Sequence, residues 1–357
     1  MSKLIKIGPI HSVFESPFLI KLKEEKGIIS DCQIEIGYSH RGIEGLAIQK
    51  TYLQTLELIE RVCGLCSHTH AMCFCQAVEK LASIEIPKRA KFIRTIVAEL
   101  ERLHSHLFWA NMVAEVLDFR PFASQILRVR EKVMNLLEEI SGNRVMFSIN
   151  SIGGVRKDIQ REDKILGLLK KLKKEIEILH EIFDCNVELL SKTKGIGILK
   201  KEDALLLGVV GPTARASGVR KDIRQEDPYD AYPVLKFRGF IKEEGDAFSR
   251  IMIHFEEIFE SINLIEESVL NLPEGFLKIP GNSTIPIGEA ISRVEAPRGE
   301  LFYFVSSDGT PFPRRVKIRV PTFANLPALR NMLIGEKKEN LNLILASIDP
   351  CFSCLER

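Results

Sequence analysis

The sequence predicts a mainly α-helical chain, a long-helix bundle with small antiparallel β-sheets in its N-terminal and C-terminal parts. Three observations predict it. Apolar residues alternate with period two near the N-terminus, four long stretches carry helical periodicity, and short β-branched and aromatic runs punctuated by Pro and Gly follow the last of them. The 357 residues, 45% hydrophobic, suffice to bury a full core.

The elements follow in order. IKIGPI, FLIKLK and IISDCQIEIGY, with a charged EEKG turn between the last two, predict an antiparallel sheet over residues 4–38. Leu53, Leu56 and Ile59 then lead into Arg61 on an amphipathic helix that stops at a Cys-Gly-Leu-Cys turn. A second helix restarts at His68 and runs to about Ser83. Pro87 opens a long helix through HSHLFWANMVAEVL, and Pro121 opens another that ends near Gly142. Residues 159–194 predict a third long helix, whose lysine run KKLKKEIE is a solvated face opposite Leu169, Leu172, Ile176 and Leu179. A fourth covers Glu243 to Leu270, followed by strands at ELFYFVSS and RRVKIRV and a helical tail over 325–347. With no low-complexity linker, the chain reads as one domain: an N-terminal β region over 1–40, a helical bundle over 41–275 and a mixed region over 276–357. GVRKDIQRED (154–163) echoes GVRKDIRQED (218–227), too few copies for a repeat architecture.

Fifty basic against 48 acidic side chains leave a formal charge of +2, which argues against nucleic-acid binding by bulk charge. No run of about 18 apolar residues predicts a membrane span. The start MSKLIKIGPI lacks a signal peptide's apolar core, so a soluble intracellular chain is expected.

Of eight cysteines, Cys63 and Cys66 form one C-x-x-C pair, and Cys351 and Cys354 another. Cys32, Cys73, Cys75 and Cys185 read as ordinary thiols. The two pairs meet only if the fold returns the C-terminus to the turn after the first helix. Four thiolates would then suit zinc, iron or nickel. Spacing alone leaves structural zinc, a catalytic metal and separate thiols all open.

The neighbouring residues narrow this. Arg61-Val-Cys63-Gly-Leu-Cys66-Ser-His-Thr-His70 and Asp349-Pro-Cys351-Phe-Ser-Cys354-Leu-Glu-Arg357 resemble the two signatures of the catalytic (large) subunit of nickel–iron hydrogenases. His40-Arg-Gly-Ile-Glu44 and the segments 209–232 and 294–325 extend the resemblance over nearly the whole chain. The last two are also similar to the quinone-site subunit of respiratory complex I, a relative of energy-converting hydrogenases.

The resemblance implies a Ni–Fe(CN)2(CO) centre with Cys63 and Cys351 as terminal nickel ligands and Cys66 and Cys354 bridging to iron. It gives His70 a hydrogen bond to a bridging sulfur, Arg298 (in EAPRG) a place over the open side of the metals, and Asp349 the task of holding that arginine. Thr322 (in VPTFAN) would donate to a cyanide. Cys351 would take the proton released from H2, with Glu15 (in VFESP) and Glu44 further along the proton path. The four other cysteines read as ordinary thiols and leave no ligand set for an iron–sulfur cluster, so a cluster-bearing small subunit is expected as partner.

Three departures from uptake enzymes stand out. Arg357 replaces a histidine that helps bind magnesium, which weighs against magnesium here. Ser105 replaces an aspartate in the LHSH segment, and no C-terminal extension follows Arg357. The arginine at the end, the complex I-like segments and the short length resemble the membrane-bound, energy-converting (Ech-type) group. That implies a ferredoxin-linked enzyme on the cytoplasmic face of the membrane, docked to integral ion-translocating subunits. A complex I-like quinone-site subunit and a zinc-bound scaffold are the alternatives.

Overall fold

The computed structural model describes residues 3–11, 16–279 and 285–357. β1 (Lys3–Ile7), β2 (Leu19–Glu25) and β3 (Ile28–Glu35) form the predicted antiparallel sheet, with Ile7 opposite Ile20 and Leu22 opposite Cys32. Alternation sets its faces: Ile20 and Leu22 are buried, while Lys21 and Lys23 point away. α1 (Ile43–Ala47) and α2 (Tyr52–Glu60) follow, and α2 is opened by a reciprocal capping box between Thr51 and Gln54.

α3 (Ser67–Leu81) is buried on every side from Ser67 to Glu79, as a helix packed between layers must be. It touches α2 and the C-terminal sheet, and also α4 (Lys88–Val116), whose Leu100, Leu103 and Leu107 sit in the bundle core. α5 (Arg120–Ser141) starts at Pro121 and ends where Gly142 turns left-handed (φ 78°), its N–H reaching the Glu138 carbonyl at 2.6 Å. A two-stranded ribbon, β4 (Asn150–Ser151) and β5 (Gly154–Val155), leads into α6 (Glu162–Cys185). The lysine run lies on its exposed face.

The third long helix is shorter than expected, because Asn186 leaves helical geometry and caps a new helix, α7 (Val187–Thr193), through Leu189 N–H at 3.0 Å. Three short helices, α8 (Lys201–Leu206), α9 (Gly211–Ala216) and α10 (Ile223–Glu226), precede α11 (Ala247–Leu270), which Asp246 caps through Ser249 N–H.

The C-terminal sheet has three strands rather than two. β6 (Gly288–Ala296) pairs with β7 (Gly299–Ser307), which pairs with β8 (Pro313–Arg319). The expected tail helix begins earlier, with α12 (Pro321–Leu333) opened by Pro321, and breaks at Gly335 (φ 88°). α13 (Leu341–Ser347) and α14 (Phe352–Leu355) complete the chain. Among the described residues no helix is long and apolar enough to cross a membrane.

Candidate metal centre

The turn between α2 and α3 carries Cys63 and Cys66, while Cys351 caps α14 and Cys354 lies within it. The fold brings them together. Cys63 Sγ lies 3.5 Å from Cys351 Sγ, Cys66 Sγ 3.4 Å from Cys354 Sγ, and Cys351 Sγ 3.3 Å from Cys354 Sγ. All four are buried.

Such a quartet cannot hold four negative charges by itself. Hydrogen bonds from Cys351, Cys354 and Cys66 hold the Cys63 thiol well below its ordinary range. Cys354 is pushed well up, first by its contact with Cys351 and then by Cys63, Cys66 and burial. A soft cation removes this conflict by making every sulfur a thiolate ligand, so the donor set fits nickel, iron or zinc.

The two motifs are fastened mostly by residues to which the sequence reading gave no role. Arg41 donates Nη1 to the Arg61 carbonyl (2.8 Å) and Nη2 to the carbonyls of Val62 (2.8 Å) and Ser353 (2.6 Å), bridging both cysteine turns. Glu356 accepts from the N–H groups of Gly37 (2.7 Å) and Ser39, tying the Arg41 loop to the C-terminal turn. Phe352 stacks on Phe18 of the N-terminal sheet with centroids 4.3 Å apart. Thr322 accepts the Cys351 N–H at 3.0 Å, which fixes that cysteine's backbone and leaves the Thr322 proton to give.

His70 lies one turn into α3. Its Nε2 is 3.5 Å from Cys354 Sγ and its Nδ1 2.7 Å from the Tyr303 hydroxyl. Burial pushes this imidazole down to about 4, so the ring is neutral. The arrangement suits a ring that accepts the tyrosine proton at Nδ1 and gives Nε2–H to sulfur. Tyr303 is another residue that the sequence reading missed.

Arg298, on the β6–β7 turn, lies near enough for its charge to interact with Cys351, Cys63 and Cys66. Its Nε donates to the Asp349 carbonyl (2.9 Å), its Nη2 to Asp349 Oδ1 (2.8 Å) and its Nη1 to Ser105 Oγ (3.3 Å). Asp349 takes positive φ (50°), and its buried Oδ2 has no hydrogen-bond partner among the described residues.

Glu44 stands apart from this cluster. It accepts from Lys317 Nζ (2.8 Å), Ile318 N–H (3.0 Å) and Arg357 Nε (3.1 Å). Partial burial raises its carboxyl, but these bonds and charges outweigh burial and hold it below the ordinary range. Arg357 also donates to the carbonyls of Leu355 (2.9 Å) and Ile318. A guanidinium thus takes the carboxylate and carbonyl oxygens that a magnesium ion would need, and magnesium does not fit here. Glu15 lies outside the described residues.

Glu101 of α4, a further residue that the sequence reading missed, caps α3 just past Cys66. It accepts from His68 N–H (2.7 Å), Thr69 N–H (2.9 Å) and the Thr69 hydroxyl. Burial pushes its carboxyl up to about 8 against the pull of these donors. Among the other cysteines, Cys32, Cys73 and Cys75 are buried and Cys185 is exposed. Among the described residues, every metal-ligating group of three or more belongs to the sulfur cluster.

Comparison with known proteins gives two family matches. The model of the respiratory-chain NADH dehydrogenase 49 kDa subunit matches residues 121–284 and 275–357, and that of nickel-dependent hydrogenases matches 41–164. The carbon monoxide-induced hydrogenase of Rhodospirillum rubrum is 37% identical, over 99% of this chain and 99% of that protein. The membrane-bound hydrogenase subunit alpha of Pyrococcus furiosus is 36% identical, over 99% of this chain and 87% of that one. Among solved structures, a chain of the membrane-bound sulfane sulfur reductase, an archaeal respiratory membrane complex, superposes with a TM-score of 0.95. It is 31% identical, and the match covers 100% of this chain and 98% of that one.

Proposed function

Because the chain belongs to the family that nickel-dependent hydrogenases share with the 49 kDa subunit of respiratory-chain NADH dehydrogenase, we propose that it is the catalytic subunit of a nickel–iron hydrogenase. It works reversibly on H2 within an energy-converting membrane complex. The observation that carries this reading is the convergence of Cys63, Cys66, Cys351 and Cys354 into one buried quartet, three of its sulfur pairs 3.3–3.5 Å apart, with His70 against Cys354 and the Arg298 charge interacting with the sulfurs.

A Ni–Fe(CN)2(CO) centre held there would supply the Lewis acidity that splits H2 heterolytically. The chain's own residues do the rest. Cys63 and Cys351 are assigned as nickel ligands, and Cys66 and Cys354 as bridges. His70, neutral and braced by Tyr303, steadies the Cys354 sulfur and tunes its basicity. Arg298 keeps a fixed positive charge at the site, and Asp349 aims it by gripping two of its nitrogens. Thr322 fixes the Cys351 backbone, and its hydroxyl proton would be available to a cyanide of such a centre.

Cys351 Sγ is the base that takes the proton, and Glu15 is assigned as its next carrier on sequence alone. Glu44 is better suited to anchoring Arg357, since a carboxylate held low by cations binds a proton poorly. Electrons leave through a cluster-bearing partner subunit towards ferredoxin, and the complex couples that flow to ion translocation. The partners hold this chain at the cytoplasmic face of the membrane.

Metal analysis and infrared spectroscopy of the purified complex test the reading. Nickel near one per chain with CO and CN stretching bands is expected, and Cys351→Ser should lose nickel and hydrogen production together. Zinc without nickel would overturn it in favour of a scaffold. The match to the 49 kDa subunit over residues 121–357 favours a second reading, a quinone-site subunit without metal. Under that reading Cys351→Ser leaves activity intact.

A further inference from the structure

Arg298 sits at a hairpin tip. β6 ends at Ala296, β7 starts at Gly299, and these two residues pair, leaving Pro297 and Arg298 as a two-residue turn. Hairpin tips usually lie in solvent and move. This one is buried from Glu295 to Gly299.

Something must satisfy the backbone of a tip carried into the interior. Arg102 of α4 does so. Its Nη2 donates to the Glu295 carbonyl (2.7 Å) and its Nη1 to the Ala296 carbonyl (3.0 Å), the last two carbonyls before the turn. Its Nε is held by Glu99 at 3.1 Å. The Glu295 side chain is gripped as well, by Arg215 Nη1 (2.8 Å) and the Ile223 N–H (3.1 Å), and its N–H donates to the Tyr229 hydroxyl (3.1 Å). On the other side, Gly211 and Gly299 meet face to face. A Cβ on Gly211 would lie 2.6 Å from the Arg298 carbonyl carbon, and one on Gly299 2.7 Å from the Gly211 nitrogen.

Arg215 is itself locked by Glu257, with Nη2 donating at 2.6 Å, so α4, α9 and α11 all converge on the tip. This buried ion network touches no sulfur, and the proposed function makes no use of it. Its geometry nonetheless fixes where the Arg298 side chain starts.

We propose that Arg102, with Glu295 as its partner on the strand, is a positioning residue that acts on the reaction through Arg298. It sets the reach of that guanidinium over the sulfur quartet. This inference rests on the proposed function. Arg102 contacts no reacting atom, and lysine at 102 can bridge the two carbonyls only imperfectly, so the tip and Arg298 shift together.

A double-variant cycle in the purified, metal-loaded complex tests it. Arg298→Lys is expected to lower turnover about 100-fold and Arg102→Lys about 10-fold, since small misplacements remote from the chemistry are costly. The double variant should then match Arg298→Lys within about twofold, because Arg102 has nothing left to position. Multiplying effects, about 1000-fold in all, would overturn the proposal. The cyanide bands of Arg102→Lys should also move in the direction seen for Arg298→Lys, and unmoved bands count against it.

If Arg102→Lys fails to hold nickel, Glu295→Gln enters the same cycle with the same expectation. If the wild-type complex itself lacks nickel and hydrogenase activity, it is the proposed function that fails. Amide hydrogen exchange at Ala296–Gly299 in that complex then decides the positioning: faster exchange in Arg102→Lys supports it, and unchanged exchange refutes it.

Discussion

Replacing Gly211 with alanine tests the packing behind the site with one methyl group. Gly211 has φ 70°, a region where an L-residue costs roughly 1–2 kcal/mol. The new Cβ would also sit 2.6 Å from both the Arg298 carbonyl carbon and Gly299 Cα. Both are backbone atoms that cannot swing aside, and overpacking of that kind costs roughly 1–3 kcal/mol. The two effects together predict a loss of about 2–5 kcal/mol. Gly45→Ala supplies the control. It lies inside α1 with nothing within 4 Å of its Cβ position, so alanine should gain about 0.5–1 kcal/mol. Denaturant unfolding of the full chain can be followed by its single tryptophan, Trp109, which is buried, stacks on His254 at 3.7 Å and donates to the Ala346 carbonyl. If Gly211→Ala unfolds within about 0.5 kcal/mol of wild type, a scale typical of unconstrained surface changes, the close approach is not there and the tip is not clamped.

Two further outcomes are expected. Arg94 is fully buried and gives its guanidinium to both Glu79 oxygens (2.7 and 2.9 Å) and to the carbonyls of Ser151 and Gly154 (2.9 Å each). Arg94→Met should therefore cost about 3–5 kcal/mol in denaturant unfolding by stranding a buried carboxylate, with part of the loss restored when Glu79→Gln is added; a loss under about 1 kcal/mol contradicts this. Asp230, which lines a cleft of about 480 Å³ with Tyr229, Gln76 and Arg293, is pushed up to about 6 by burial, against the pull of Arg94. A group that binds its proton more tightly folded than unfolded (3.8) weakens the fold as pH rises from about 4 to 6, here by up to about 3 kcal/mol. The difference in stability between wild type and Asp230→Asn should change across that window and be flat above it, and a flat difference throughout would show that Asp230 ionises normally.

What the sequence made legible was mostly local. Pro87, Pro121 and Gly142 mark helix ends because proline and left-handed glycine act within one turn. Asn186 was missed as a break because asparagine is also an ordinary residue on a polar helix face, and only its bond to Leu189 reveals a cap. β6 escaped because its first half is solvated, with Glu289 and Ile291 both exposed, and shows no clean alternation. The two cysteine motifs were legible because their chemistry is carried by residue type. Arg41, Glu101 and Tyr303 were not, because each is defined by a partner far away in sequence, and one chain without its fold cannot display such a pairing.

The quartet also has a consequence for the order of events in time. Cys63 and Cys351 are 288 positions apart, so any ion held by both pairs closes a covalent ring of nearly the whole chain. A chain-entropy treatment gives a cross-link of that span about 5–6 kcal/mol against the open unfolded chain. No such ring can form until residues 351–357 have docked, through Phe352 on Phe18 and Glu356 on the Arg41 loop. Loading of such an ion therefore follows that docking. Residues 351–357 work as a clasp that only a folded N-terminal sheet and Arg41 loop can fasten.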